Sequence, residues 1–342
     1  MLKRLISGVV VGLLAFGFLA CVGTAQDIKP MNVSSQPAPV SKYTTHEPIR
    51  INNDSDFDTQ FPGRIISGYD INGSSHGFCI YVGNCSIPFT IKDGYLHNAS
   101  GGASDTFSYN TCIFLYSSSN ASISGNTCFL SGMGIYLYSS STNTLNKNNC
   151  SRHTYAGIYL SHFSNNNLLS DNICFWNSFY GIRLDYYSAN NIIIGSNCIK
   201  NIQCGINLFA SYSNTFTYNN LTVNGGYGVE IYGGYNRIYH NNFINNNKAV
   251  SHYNTNHVQA NDPGNLNFWN DSSEGNYWSD WNYYDNDTNG IVDGPYLIDG
   301  TAGARDYFPL TTVVAVPEPS PLPLIILSIV LLTGIITRRR YQ

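Results

Sequence analysis

Charged side chains make up only 11% of the 342 residues, so the places where they gather carry the search for chemistry. Asp285, Asp287, Asn289, Gly290, Ile291 and Asp293 follow the spacing of a calcium-binding loop. In such a loop oxygen ligands alternate, a glycine makes the sharp turn, and the residue after it, here Ile291, offers a backbone carbonyl. Where the loop expects a bidentate glutamate this chain has Tyr296, so Ca²⁺ needs a further ligand such as Asp299. The other reading of the stretch is a solvated loop of Asx turns. A second set is Arg183 and Asp185, with Glu230 further along. Clustered carboxylates beside a cation are what acid–base cleavage of acidic sugars uses. A third set is aromatic: Tyr81, Phe114, Tyr116, Tyr136, Tyr138, Tyr159, Phe209 and Tyr232. Ring faces suit the apolar faces of sugars, and tyrosine hydroxyls suit their polar edges.

Every residue of the second and third sets except Tyr81, whose stretch Cys79-Ile-Tyr-Val82 looks like an earlier coil opening, falls in one repeated phrase. Its copies open at Cys112, Gly134, Gly157, Gly181, Gly205 and Gly228, with a degenerate copy at Ala249, so the steps by subtraction are 22, 23, 24, 24, 23 and 21. Repeats this short form solenoids. Ser, Asn and Gly interrupt each copy after four or five residues, which leaves room for strands and none for a useful helix. The expected fold is all-β: a right-handed, single-stranded parallel β-helix with a C-terminal cap.

Strand alternation then sorts the columns. Counting the opening residue as zero, positions one and three hold Ile113 and Leu115, Ile135 and Leu137, Ile158 and Leu160, and their equivalents, which read as core. Positions two and four are read as facing out. The first of these columns runs Tyr81, Phe114, Tyr136, Tyr159, Arg183, Asn207, Glu230; the second runs Tyr116, Tyr138, Ser161, Asp185, Phe209, Tyr232. Stacked coils put Glu230 about 10 Å along the axis from Arg183. Two readings of the aromatic columns stand side by side: a sugar-binding stripe, or tyrosine packing that stabilises the sheet. His153, His162 and Arg152 are read as turn residues that either line a cleft or are simply solvated.

A further inner column carries Cys128, Cys150, Cys174 and Cys198. Buried thiols are the first reading, pairing between coils the second, a soft-metal site the third. Asn120, Asn143, Asn166, Asn190, Asn214 and Asn236 mark one turn, and Asn126, Asn149, Asn172, Asn197, Asn220 and Asn242 another. Their amides are expected to form ladders between coils.

Both ends carry addresses. Residues 1–25, with Lys3 and Arg4 before an apolar run and Gly23, Thr24 and Ala25 at a cleavage point, have the layout of a secretory signal peptide; Cys21 offers a lipidated first residue instead. Residues 26–50 are rich in Pro and read as a linker. The β-helix is expected over 51–260, with a loop at Ser100 to Tyr109. A cap over 261–312 holds the calcium loop, and its Trp269, Trp278 and Trp281 close the last coil. Residues 313–342 end in an apolar segment and Arg338, Arg339 and Arg340, which make a sorting signal or membrane anchor. A net charge of -4 offers no basic stripe for nucleic acid. Ten N-x-S/T sequons gain meaning outside the cell.

The phrases Gly157-Ile-Tyr-Leu-Ser161 with Asn165 to Leu168, Gly275-Asn-Tyr-Trp-Ser-Asp280, Asp293-Gly-Pro-Tyr296 and Asp306-Tyr-Phe-Pro-Leu310 resemble the NosD-like, or CASH-type, β-helix repeat proteins. The C-terminal order of Val316-Pro317-Glu318-Pro319, apolar segment and arginines resembles the PEP-CTERM and PEF-CTERM sorting signals, which imply a sorting transpeptidase as partner and membrane attachment at least before processing. The first resemblance covers roughly residues 51 to 310 and implies the fold more firmly than an activity. Its group includes carbohydrate-binding surface proteins, polysaccharide-cleaving enzymes and a periplasmic accessory of copper delivery. With Met31 and Met133 the only methionines after the expected leader, a thioether copper path is not visible. The resulting expectation is a secreted, cell-surface protein that is structural or binds a glycan or cell-envelope polymer. A polysaccharide hydrolase or lyase is the alternative, and a copper-accessory role the third.

Overall fold

The structure, a computed structural model, describes residues 42–101 and 110–315. The expected signal peptide, most of the linker, nearly all of the loop at 100–109, and the C-terminal sorting signal from residue 316 onward lie outside the described residues.

Each coil of the chain contributes three short strands, and like strands of successive coils pair in parallel. They build three sheets of nine, eight and ten strands. The first sheet runs from Ile49–Ile51 to Ala260–Asn261, the second from Ile65–Ser67 to Arg237–Tyr239, and the third from Thr44–Thr45 to Tyr277–Trp278. The protein is therefore a parallel β-solenoid, as the repeat requires. Register follows the columns: Ile113, Ile135, Ile158, Ile182, Ile206 and Val229 pair in sequence in the first sheet. All six are fully buried. Stacking like on like leaves no mismatch in volume between neighbouring coils, which close packing demands.

Glycine opens the five copies from Gly134 to Gly228 for a steric reason. A Cβ on Gly134 would lie 2.4 Å from the Gly157 carbonyl oxygen, and one on Gly157 would lie 2.7 Å from that of Gly181. Coils approach too closely there for any side chain.

Turns between the sheets bury their backbone, so its N–H groups need partners. Three ladders of side-chain amides supply them. Asn143, Asn167, Asn191, Asn214, Asn236 and Asn267 form one. Asn126, Asn148, Asn172, Ser196, Asn219, Asn241 and Asn276 form another. His153, Asn177, Asn201, Asn224 and Asn246 form the third, which ends on Gln259. Several sequence-assigned asparagines sit one residue off the ladder. Asn120, Asn166 and Asn190 adopt left-handed backbone beside it, at φ 61°, 56° and 56°. Asn149, Asn197, Asn220 and Asn242 open strands of the third sheet, where Asn220 and Asn242 join a separate chain of amide bonds with Asn197.

Cys128 pairs in register with Cys150, and Cys174 with Cys198. All eight described cysteines are buried free thiols. Burial pushes the Cys128 and Cys174 thiols well above their ordinary range, so they stay neutral.

Both ends of the core are covered. Strands at Thr44–Thr45 and Ile49–Ile51 begin the solenoid inside the segment read as linker. A helix at Asp54–Gln60, capped by Asn53, which accepts from the Asp56 N–H at 2.9 Å, lays the fully buried Phe57 over the first coil. At the other end Phe243, Trp278 and Tyr296 stack with ring centroids 4.0 and 3.8 Å apart. The indole N–H groups of Trp269 and Trp278 donate to Asp262 and Asp306, and burial pushes the Asp306 carboxyl up to about 6. Trp269 and Trp278 are thus lid residues, with Trp281 half-buried beside them. No helix among the described residues is long and apolar enough to cross a membrane.

Candidate functional site

The outer face of the first sheet is not an open stripe. Phe114 and Tyr136 are only 1% and 3% exposed, and Tyr81 is buried as well. Phe78 and Met133, which open their own strands, pack with these rings into a second apolar cluster. Phe114 stacks on Tyr136 at 5.0 Å, and Tyr136 on Tyr159 at 4.7 Å, both nearly parallel. At these positions packing accounts for the aromatics: strands of six residues, such as Met133–Tyr138, bring an extra bulky residue over the sheet. In the position-four column Tyr116 stacks on Tyr138 at 5.4 Å, and both stay half-buried. Phe209 and Tyr232 form a separate tilted pair at 6.1 Å.

Further along the same face the packing turns polar. The strand Tyr180–Leu184 carries Arg183 outward, and Asp185 follows it. Asp185 Oδ2 accepts from the Tyr159 hydroxyl at 2.7 Å and from Arg183 Nε at 3.1 Å. Its Oδ1 is buried and has no hydrogen-bond partner among the described residues. Burial pushes the Asp185 carboxyl up to about 6, against the pull of the Arg183 charge. The Arg183 guanidinium lies over the rings of Tyr180, Tyr155 and Tyr159 at 4.9, 5.8 and 5.9 Å. Tyrosine ring faces attract a guanidinium and compensate part of its lost hydration. Burial also drives the Tyr159 phenol well above its usual range and that of Tyr155 to about 12, so both remain hydroxyl donors.

One and two coils on, the next members of the column are Asn207 and Glu230. Glu230 is buried; Oε2 accepts from Asn207 Nδ2 at 2.8 Å, and Oε1 from Asn261 Nδ2 at 3.2 Å. The structure thus joins Arg183 and Asp185 directly and holds Glu230 in its own amide network. Tyr155 and Tyr180 were absent from the sequence-assigned site. For Tyr180 the signal is its place directly before Gly181, the place that Met133 takes before Gly134, while Tyr155 stands one residue earlier in its coil, where Ala156 holds that place.

The two histidines part company. His162 lies in a turn as read, stacked between Tyr138 and Tyr186 at 4.2 and 4.5 Å. His153 lines no cleft, being buried in the third ladder. Arg152 lies over Trp176 at 5.7 Å. In the loop read for calcium, Asp285 accepts from the N–H groups of Asn289 and Gly290. Asn289 Oδ1 accepts from the Ile291 N–H, Asp287 from Asn289, and Asp293 from Asn286. The bonds to Asp287 and Asn289 are Asx turns, and those to Asp285 and Asp293 close the loop over longer spans. Among the described residues no group of three His, Cys, Asp or Glu is placed to hold a metal ion.

Solved structures similar to this chain include an alginate lyase from Paenibacillus sp. str. FPU-7, at 13% identity and TM-score 0.49, covering 68% of this chain and 89% of that one. The A-module of the Azotobacter vinelandii mannuronan C-5 epimerase AlgE4 matches at 14% identity and TM-score 0.44, over 64% and 67%. The periplasmic alginate epimerase AlgG matches at 20% identity and TM-score 0.40 over 48% of this chain, which spans only 42% of that protein. These likenesses concern the fold alone. No curated protein sequence matches the chain. The family model described as periplasmic copper-binding protein (NosD) matches residues 63–283. Among the described residues the donors do not fit copper: Met133 is packed among Phe78, Tyr81, Phe114 and Tyr136, and the thiols are sealed in the core without a converging third ligand. More than half of the length lies within that match, and its coils make one continuous parallel solenoid; the chain belongs to the NosD family.

Proposed function

We propose that the protein works outside the cytoplasm and binds an acidic polysaccharide on the outer face of its first sheet. Arg183 carries this reading. Among the described residues its guanidinium makes a single hydrogen bond, to Asp185, and 17% of its side-chain surface stays open. A guanidinium fork held rigid over three tyrosine rings, with donors to spare, is suited to a sugar carboxylate. The hydroxyls and amides nearby suit the ring hydroxyls of the same polymer. Immobilised polyuronate should retain the protein, and Arg183→Met, which keeps the apolar stem over Tyr180, should weaken retention about tenfold or more, as loss of a charge-assisted bond of about 1.5–3 kcal/mol requires. Arg183→Lys should fall between. Unchanged retention by a folded Arg183→Met protein rules this reading out.

Asp185 favours a second reading, in which the same face cleaves the polymer it binds. A buried carboxyl with a raised pKa and one unpartnered oxygen is equipped to hand over a proton near neutrality. Release of reducing or unsaturated ends, abolished by Asp185→Asn, is the expected sign of it. Binding without any such release over long incubation excludes it.

A further inference from the structure

The two longest coils differ from their neighbours at one turn. In the coil opened by Gly134, Tyr138 is followed two residues later by the buried Ser140, whose N–H donates to Ser164 Oγ. In the next coil Ser164 follows Ser161 three residues later, and in the one after Ser188 follows Asp185 three residues later. Phe209 and Ser211 return to the shorter spacing. The added residue in each long coil leaves an aromatic outside the solenoid wall: Phe163, 60% exposed, and Tyr187, 53% exposed. Both adopt left-handed backbone, at φ 62° and 63°, and so do His162 and Tyr186 before them. Bulky side chains disfavour that conformation, and asparagine or glycine would hold it with less strain.

Phe163 stacks on Tyr187 at 5.5 Å and 12°, and Tyr187 on Tyr212 at 6.2 Å and 25°. These separations exceed the rung spacing of about 4.8 Å. The rings are slipped, and part of each face stays uncovered. Neither the core nor the amide ladders use them, and a row of exposed rings that folding does not need is a feature of binding surfaces. Phe163 and Tyr187 lie on the coils that carry Tyr159 and Arg183, and Tyr187 follows Asp185 by two residues.

We infer that Phe163, Tyr187 and Tyr212 form a second binding subsite, a slipped aromatic ladder on which a linear polysaccharide lies along the solenoid axis after its carboxylate reaches Arg183. The occupant is a pyranose polymer because three rings recur, one per coil and slipped from one another, beside a fixed cation, which matches a chain of like rings that carry charge. This rests on the acidic-polysaccharide reading and adds length to it. Short acidic oligomers engage the Arg183 cluster alone, whereas long ones engage both.

The full-length protein and its Phe163→Asn/Tyr187→Asn variant are compared with Arg183→Met by calorimetric titration against short and long oligogalacturonates and against a neutral glucan. The ladder variant should bind long oligomers about tenfold more weakly and short ones unchanged, with a melting temperature equal to or above that of the parent, since asparagine relieves the backbone. Arg183→Met should weaken both lengths. Long-oligomer affinity unchanged in the ladder variant overturns this inference alone. A lower melting temperature with affinity intact makes the ladder a packing device and overturns it too. No binding of any oligomer by the parent protein removes both readings. Neutral glucan binding lost only in the ladder variant keeps the subsite and removes the acidic preference. Light scattering that finds a parent dimer, a monomeric ladder variant and equal glycan affinity makes the row a contact between copies, and overturns the inference.

Discussion

In the third ladder His153 occupies a place that Asn177, Asn201, Asn224 and Asn246 fill in later coils. It reproduces their hydrogen bonds: Nδ1 accepts from the Ser131 N–H at 3.3 Å, and Nε2 lies 3.1 Å from the Cys128 carbonyl. That pattern needs the neutral ring with its proton on Nε2. Burial lowers the His153 pKa. The unfolded chain takes up a proton below about pH 6.5 and the folded one does not. The stability His153 contributes is therefore complete above that pH and is lost as pH falls toward the folded pKa. His153→Asn should fold normally and lose less stability between pH 7 and 5 than the parent, as read from urea midpoints at the two pH values. An equal pH dependence in both proteins counts against the neutral assignment. The sequence held the clue, because His153 follows Cys150 by three residues as Asn177 follows Cys174 and Asn201 follows Cys198. Taken without its column, a histidine in a polar stretch reads as a cleft-lining or solvated turn residue.

At the level of elements, the period and the inner columns were legible in the sequence, since stacked coils must repeat both length and volume. The turns were less so. Where two asparagines adjoin, as in Asn166 and Asn167 or Asn190 and Asn191, one takes the left-handed bend and the other the ladder. Composition treats the two alike, and only side-chain direction separates them. The difference has an energetic consequence. Asn201 accepts from the Asn177 N–H and Nδ2 and donates to the Cys174 carbonyl and Asn224 Oδ1, all buried. Asn201→Ala orphans several of these groups, and each buried orphan costs about 1–3 kcal/mol. A loss of about 3 kcal/mol or more is expected by equilibrium urea unfolding. Asn190→Gly, at an exposed left-handed position, should stay within about 0.5 kcal/mol of the parent. Similar losses at the two sites would show that the ladder is not the stabilising element. The helix at Asp54–Gln60 was also missed, although Asn53 before two acidic residues of the first turn is a capping signature.

For the molecule as a whole, a NosD-family solenoid is a rod whose inner columns follow from folding alone. Its outer columns divide. From Tyr81 to Tyr136 the rings are covered by other residues of their own coils and serve packing. Alternation correctly points these side chains out of the strand, but it carries no information about what the adjoining turn lays over them. From Tyr159 to Glu230 the same face holds Arg183 with unused donors and Asp185 with an unpartnered oxygen, neither of which the fold requires. The function assigned to that stretch depends on a carboxylate reaching Arg183. The direct measurement is affinity for a polyuronate before and after its carboxyl groups are reduced to alcohols, at equal chain length and salt. Binding to the native polymer that falls to near background on the reduced one is the expected result. Equal affinity for the two would contradict a carboxylate-reading Arg183.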